Sequence, residues 1–188
     1  MAWNLGLLGA ASFVEAAGAF DLLETQILAS DSSSVTFTGL GSYSDYNHLQ
    51  IRSLQRSTNS LNNLSNVDLR FNSDTGSNYS MHWLEGDGSS VYSTGFSSQT
   101  LIAISRSLPR DGTTSNSFGA SVIDILDFSS SNKNTTIRVL AGVHTATRFN
   151  IALTSGSWIN TNPVTQITLT PSLADFLAGS RFSLYGVK

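Results

Sequence analysis

Three histidines are the side chains of this chain best suited to acid–base chemistry: His48, His82 and His144. A serine hydrolase needs a Ser-His-Asp set that converges in space. The sequence contains no Gly-x-Ser-x-Gly segment, which would present a nucleophilic serine on a sharp turn. Each histidine also lies in or beside a predicted strand, where surface or interface roles are more common. We therefore predict that the chain is not an enzyme.

The carboxylates offer glycoside hydrolysis as an alternative, which requires two carboxyl groups that face each other across a cleft. Asp124 and Asp127 lie three residues apart in an apolar segment predicted to be a strand, so they should point to opposite faces. Asp74, Glu85 and Asp87 are expected to cluster at one end of a hairpin. Turn capping explains them better, because Asp bonds readily to nearby backbone groups in turns.

A calcium loop is faintly suggested by Asp74, Gly76 and Asn78, but the remaining ligand spacing of an EF-hand is absent. The chain has no cysteine, which excludes disulfides and thiolate metal sites. We predict neither a metal nor a cofactor.

Six aromatic residues could stack on sugar rings, although packing in a core is the more common use of large aromatic side chains. They are Tyr43, Tyr46, Tyr79, Trp83, Tyr92 and Trp158.

The composition favours strands over helices. Only 12% of the residues are charged, against about 25% in an ordinary domain. Ser, Thr, Asn and Gly, which suit strand faces and turns, fill the polar positions. The net charge of −3 gives no basic footprint for nucleic acid. No apolar run reaches the roughly 18 residues of a membrane span.

Period-2 alternation recurs along the chain and predicts about ten short strands with turn signals between them. Clear examples lie at residues 67–71, 136–143, 149–153 and 166–169. Segments of helical period do not separate these strands, so a parallel α/β sheet is not expected. The prediction is one all-β domain over residues 21–188, a two-sheet antiparallel jelly-roll-like sandwich with an irregular N-terminal arm.

The last strand is predicted to close the sandwich, after one helical turn at residues 172–178. Phe182 and Leu184 should face the core, while Arg181 and Ser183 face the other side. Gly186 is expected to allow a close approach of the backbone to a neighbouring group.

Residues 1–20 form the predicted apolar arm. They are rich in Gly and Ala and show no clean period, which is typical of a segment that finds a partner surface. A secretory signal fits less well, because no Lys or Arg precedes the apolar run and Glu15 interrupts it. The candidate partner-binding residues are Trp3, Leu5, Leu7, Leu8 and Phe13.

Several segments together resemble small structural proteins of tailed bacteriophages. The strongest are Phe-Asn-x-Asp-x-Gly-x-Asn-Tyr at residues 71–79 and the Leu-Tyr-Gly ending at residues 184–186. Residues 22–25, 35–37 and 48–52 add to the resemblance, which covers most of the chain after residue 20. Proteins of this kind are jelly-roll decoration or cement proteins of the head, or tail and fibre components.

The resemblance implies a virion structural protein, with the capsid surface favoured as its location. Its partners would be the major capsid protein or other virion proteins, and we expect a homo-oligomer, with a trimer slightly favoured. Binding to nucleic acid or to a membrane is not expected. The alternatives are a tail or fibre component that contacts host-surface glycans and, third, a secreted sugar-binding module.

Overall fold

A computed structural model describes residues 18–61, 63–110, 112 and 115–188. Within these residues the chain forms twelve β-strands and one short 3-10 turn, Leu40–Tyr43, which confirms the all-β prediction. The strands are β1 Phe20–Ile27, β2 Val35–Phe37, β3 His48–Gln55, β4 Leu64–Phe71, β5 Tyr79–Gly86, β6 Val91–Gln99, β7 Ile102–Pro109, β8 Gly119–Leu126, β9 Thr135–His144, β10 Phe149–Trp158, β11 Ile167–Pro171 and β12 Arg181–Val187.

The strands form two antiparallel sheets that pack face to face. The large sheet has eight strands in the order β1-β12-β3-β8-β9-β10-β5-β6, and the small sheet has four in the order β2-β11-β4-β7. Strand β7, at one edge of the small sheet, lies against β9 and β10. The two-sheet antiparallel sandwich predicted from the sequence is therefore confirmed.

A jelly roll is visible once two pairs of strands are set aside. Without β5–β6 and β9–β10, the orders become β1-β12-β3-β8 and β2-β11-β4-β7, two sheets of four strands each. This is the eight-stranded double-sheet arrangement of a jelly roll. The two set-aside pairs, which we call the inserted strands, extend only the large sheet.

Two local features differ from the sequence prediction. Strand β6 was not predicted, because its Ser, Thr and Gly residues break any clean alternation of apolar and polar side chains. A helical turn predicted at residues 172–178 is wrong. In its place, Phe176 forms isolated β-bridges with Ser32 and Ser57 and is fully buried.

The core lies between the sheets and is centred on aromatic and branched side chains. The Trp158 ring packs 5.6 Å from Phe71 and 6.4 Å from Tyr79, measured between centroids. The indole Nε1 of Trp158 also donates to the Asp74 carboxylate at 2.8 Å. The β4–β5 turn is therefore tied directly to the core.

The closing strand β12 pairs with β1 on one side and with β3 on the other. Phe182 and Leu184 are fully buried, as predicted. Ser183 lies on the opposite side, as alternation requires, but it is also buried, and its hydroxyl accepts a hydrogen bond from Thr25 at 3.0 Å. A Cβ at Gly186 would lie 2.5 Å from the ring of Tyr46, which confirms the predicted close approach.

Candidate protein-docking surface

The outer face of the large sheet is the surface turned away from the small sheet. Strand β9 shows how the sequence produces it, because its residues alternate regularly between buried and accessible positions. Ile137, Val139 and Ala141 are buried against the small sheet, whereas Arg138 and Leu140 point outward. A strand of this kind normally places polar residues outside, and Leu140 departs from that rule.

Apolar outward positions on adjacent strands lie side by side. In one cross-strand row, Leu140 lies opposite both Val122 and Leu153, and Leu153 lies opposite Leu84. The adjacent row contains the pairs Ala120–Gly142, Gly142–Ile151, Ile151–Gly86 and Gly86–Val91. We call this set the apolar band: Ala120, Val122, Leu140, Gly142, Ile151, Leu153, Leu84, Gly86 and Val91.

The large side chains of the apolar band are well exposed. Leu84 is 48% exposed, Leu140 51%, Leu153 50%, Ile151 62% and Val91 76%. Residues in the described part of the chain therefore leave the band open. Single exposed apolar residues are ordinary, but a contiguous group of them marks an interaction surface.

Two shallow depressions lie where the apolar band carries glycine. The depression beside Gly142 has a volume of about 620 Å³, and the one beside Gly86 has a volume of about 300 Å³. Ile151 and Leu140 line both of them and form a ridge between them. Both depressions are open to solvent and are lined mainly by apolar side chains.

The apolar band sits almost entirely on the inserted strands. Leu140, Ile151 and Leu153 belong to β9 and β10, and Leu84 and Val91 belong to β5 and β6. Only Ala120 and Val122 come from the jelly-roll frame, on β8. The part of the large sheet that goes beyond a simple jelly roll is thus the part that presents the apolar surface.

A polar row borders the apolar band on the same face. The Asp124 carboxylate accepts hydrogen bonds from Gln50 Nε2 at 2.8 Å and from Arg138 Nη2 at 2.9 Å. Arg52 Nε donates to Gln50 Oε1 at 2.7 Å, and its guanidinium lies 4.6 Å from the ring centroid of Tyr185. Arg138 and Asp124 form an ion pair, and Gln50 links Asp124 to Arg52, so the four side chains make a connected polar border on the outer face.

A third, more polar depression of about 430 Å³ lies beyond this row. Its lining includes the hydroxyl side chains Ser80, Ser97, Thr136, Ser155 and Ser157 together with His82.

The three histidines lie apart, one each on β3, β5 and β9. The His48 ring accepts a hydrogen bond at Nδ1 from the backbone N–H of Asp127 at 3.0 Å. Strand β8 ends at Leu126, so Asp127 belongs to the following turn, where its φ is 50°. The interpretation that Asp124 and Asp127 occupy opposite faces of one strand is therefore wrong.

The expected cluster of Asp74 with Glu85 and Asp87 is also wrong. Asp74 precedes β5, whereas Glu85 is the seventh of the eight residues of β5 and Asp87 follows the strand, so most of its length separates the two sites. The Asp74 carboxylate accepts hydrogen bonds from the backbone N–H of Gly76 and from Asn78 Nδ2, both at 2.8 Å. These bonds lower the pKa of Asp74 and give it the turn-capping role.

Among the described residues, no three His, Asp or Glu side chains gather as metal ligands would.

The six aromatic residues do not form one sugar-binding platform. Tyr79 and Trp158 are buried in the core, and Trp83 donates its Nε1 proton to the Ala103 carbonyl at 2.9 Å. Tyr92 is exposed on β6, while Tyr46 packs beside Gly186 at the other end of the sheet.

The predicted arm residues Trp3, Leu5, Leu7, Leu8 and Phe13 lie outside the described residues. Sequence reasoning missed the apolar band. Leu140 carried a usable signal. If Ile137, Val139 and Ala141 face the core, alternation places Leu140 on the outer face, where an apolar side chain is unusual. The register that joins Leu140 to Leu84 and Leu153 could not be found from the sequence.

Comparison with protein families, with curated proteins and with solved structures finds no match to this chain. In the part of the chain that the structure describes, no helix has the length and apolar character needed to cross a bilayer.

Proposed function

We propose that this protein is a non-enzymatic virion structural protein, a capsid decoration or cement protein that docks on a protein lattice through its apolar band. The observation that carries the proposal is the contiguous apolar surface on the outer face of the inserted strands. The resemblance of residues 71–79 and 184–186 to structural proteins of tailed bacteriophages supplies the virion context.

The size of the apolar band suits a contact that is repeated many times. Strands lie about 4.8 Å apart, so the band is about 20 Å long from β8 to β6, and two rows of side chains make it about 12 Å wide. Covering about 250 Å² of apolar surface contributes about 6 kcal/mol before the costs of association. One such contact is weak, whereas many copies on a lattice together stabilise it strongly.

The composition fits the same role. With 12% charged residues and a net charge of −3, the chain has little means of steering a partner by long-range electrostatics. Apolar contact and hydrogen bonds from Ser, Thr and Asn side chains would supply the adhesion.

The test uses virus particles purified from the organism that encodes this chain. Cryo-electron microscopy then locates the protein in those particles. We expect ordered copies at repeated positions on the head. Particles without the protein would overturn the proposal, and density confined to a fibre tip would replace it with the fibre alternative.

The contact itself is tested by rebinding the purified protein to stripped particles. We expect Leu140→Ser with Leu153→Ser to abolish rebinding while the thermal melting temperature changes little, because both side chains are about half exposed. Leu173→Ser is the matched control, since Leu173 is 45% exposed and lies outside the apolar band. Equal rebinding by the band variant and the control would contradict docking through the band.

A further inference from the structure

We propose that two copies of this chain join their large sheets at strand β6, through antiparallel β6–β6 pairing about a two-fold axis. The pairing goes beyond the proposed function, because it takes place at the edge of the large sheet and leaves the apolar band open to another partner. Strand β6 is the last strand in the order of the large sheet, so no described strand pairs with its far side.

Strand β6 carries little of the protection that edge strands usually have. Proteins guard such an edge with charged residues, proline, a bulge, a very short strand or a covering group, because unpaired N–H and C=O groups attract another chain. Strand β6 runs for nine residues, Val-Tyr-Ser-Thr-Gly-Phe-Ser-Ser-Gln, without a charge or a proline. Its register with β5 is regular from Val91 to Phe96 and shifts only beyond that point.

The other three edge strands of the described sheets are guarded. Strand β1 has a bulge between Leu22 and Glu24, and β2 has only three residues. On β7, the backbone N–H of Ala103 donates to Met81 Sδ at 3.0 Å, and its carbonyl accepts a hydrogen bond from Trp83 Nε1 at 2.9 Å. This contrast makes β6 the edge that is free to pair.

The turn between β5 and β6 fixes which backbone groups of β6 are free. There the backbone N–H of Asp87 donates to the Ser90 carbonyl at 3.2 Å, so these two residues are a hydrogen-bonded pair. Hydrogen-bonded and non-hydrogen-bonded pairs alternate along antiparallel strands, so every second residue after Ser90 bonds to β5. The residues between them direct their backbone groups to the free side of β6, and these are Val91, Ser93 and Gly95.

The sequence of β6 is matched to itself about Thr94. With the two-fold axis at Thr94, Ser93 lies opposite Gly95 of the second copy, and each such pair exchanges two hydrogen bonds between free backbone groups. On the other face of the strand, Tyr92 lies opposite Phe96 of the second copy, and Thr94 lies opposite its own counterpart. Aromatic pairs and Thr–Thr pairs are among the cross-strand contacts that stabilise sheets.

Both aromatic side chains are available for this contact. Tyr92 is 48% exposed and Phe96 is 38% exposed. Phe96 packs against Trp83 with 5.1 Å between ring centroids, which positions it at the edge of the sheet. An axis at Ser93 would set Tyr92 against Thr94 instead, so the match of aromatic residues favours the axis at Thr94.

The paired region is small. Residues 91–97 span about 24 Å, and a sheet about 10 Å deep then gives each copy about 240 Å² of contact, against about 800 Å² in a stable interface. We therefore expect separate chains in dilute solution and pairing where copies are concentrated, as on a lattice. Two-fold pairing gives a dimer in place of the trimer that the resemblance slightly favours.

The absence of cysteine permits a test by cross-linking of single-cysteine variants. In the full-length chain, Thr94→Cys places two cysteines opposite each other with Cα atoms about 4.5 Å apart, within reach of a disulfide. Ser93→Cys is the matched control, because the offset of two residues places its Cα atoms about 8 Å apart, too far for a disulfide. Each variant is mildly oxidised at about 0.5 mM, where a weak pair is populated, and linked dimers are measured by mass.

We expect Thr94→Cys to form at least about tenfold more linked dimer than Ser93→Cys, because pairing raises the local concentration of the two thiols. Equal yields from the two variants, or a higher yield from Ser93→Cys, would overturn the inference.

A second test changes the backbone of the free edge. Gly95→Pro removes an N–H that points to the free side and leaves the hydrogen bonds to β5 in place. Gly95→Ala is its control, since it keeps the N–H and its Cβ would lie an ordinary 3.7 Å from the Cβ of His82. Analytical ultracentrifugation at about 0.5 mM should give dimers for the wild-type protein and Gly95→Ala and monomers for Gly95→Pro. A wild-type monomer or trimer, or a Gly95→Pro dimer, would contradict pairing through β6.

Discussion

At the scale of single residues, Asp68 stands out among the described carboxylates, because its negative charge lies in partly desolvated surroundings. It lies on the central part of β4, between Thr170 of β11 and Ala103 of β7. Burial raises the pKa of Asp68 to about 6, and the positive charge of Arg70 only partly opposes this. At neutral pH the folded protein therefore holds a partly desolvated negative charge.

The raised pKa of Asp68 predicts that the free energy of unfolding depends on pH. Because the folded-state pKa lies above the unfolded value, the protonated group contributes stability that is fully present below about pH 4 and is lost as the pH rises through about 6. Asp68→Asn should remove this dependence and stabilise the protein by on the order of 1 kcal/mol at pH 7. Urea unfolding between pH 4 and pH 7.5 measures the effect.

Asp45→Asn is the control for that series, because Asp45 is exposed and such surface changes stay within about 0.5 kcal/mol. Parallel pH profiles for the wild-type protein and Asp68→Asn would contradict the prediction.

At the scale of elements, the closing strand β12 lies between β1 and β3 and joins them into one sheet. It pairs with β1 and β3, and Phe182 packs edge-on against Phe176 at 4.9 Å between ring centroids. Because β12 is paired on both sides, it is an internal strand of the large sheet.

Truncation of Phe182 should therefore be costly. Because the side chain is fully buried, Phe182→Ala should lower the free energy of unfolding by about 3–5 kcal/mol. That is a large share of the roughly 5–15 kcal/mol that stabilises a domain. Leu22→Ala on the neighbouring strand is the control, since Leu22 is 60% exposed. Similar small losses in both variants on denaturant unfolding would refute the central role of β12.

At the scale of the whole molecule, the large sheet has a protected centre and a weakly protected edge. Strands β3 and β8 pair on both sides, whereas β6 is an edge strand that is exposed almost throughout its nine residues. Strands with few buried contacts open at lower free energy than the core.

Hydrogen exchange should reveal this gradient. We expect backbone amides of β6 to exchange fastest among the strands and those of β3 and β8 to exchange slowest, as read by mass spectrometry of peptides covering each strand. Uniform protection across the large sheet would show that the inserted strands are as stable as the jelly-roll frame.

The sequence by itself determined the fold class and, for several strands, which side chains face the core. Alternation placed Phe182 and Leu184 in the core, and the composition, poor in charge and rich in Ser, Thr and Asn, indicated strands. These predictions succeeded because each depends on local backbone geometry: a strand sends successive side chains to opposite faces wherever it lies. The close approach at Gly186 was predicted for a different local reason, because glycine has no side chain to keep a neighbouring group away from the backbone.

Only the tertiary structure decided which face of β10 is buried. Alternation separates Ile151 and Leu153 from Ala152 and Thr154 but does not say which set meets the second sheet. The small set is buried, because β7 lies so close that a Cβ at Gly156 would come within 2.9 Å of Ile102. The large apolar residues are thereby forced outward, and strand pairing across distant parts of the chain gathers them into the apolar band.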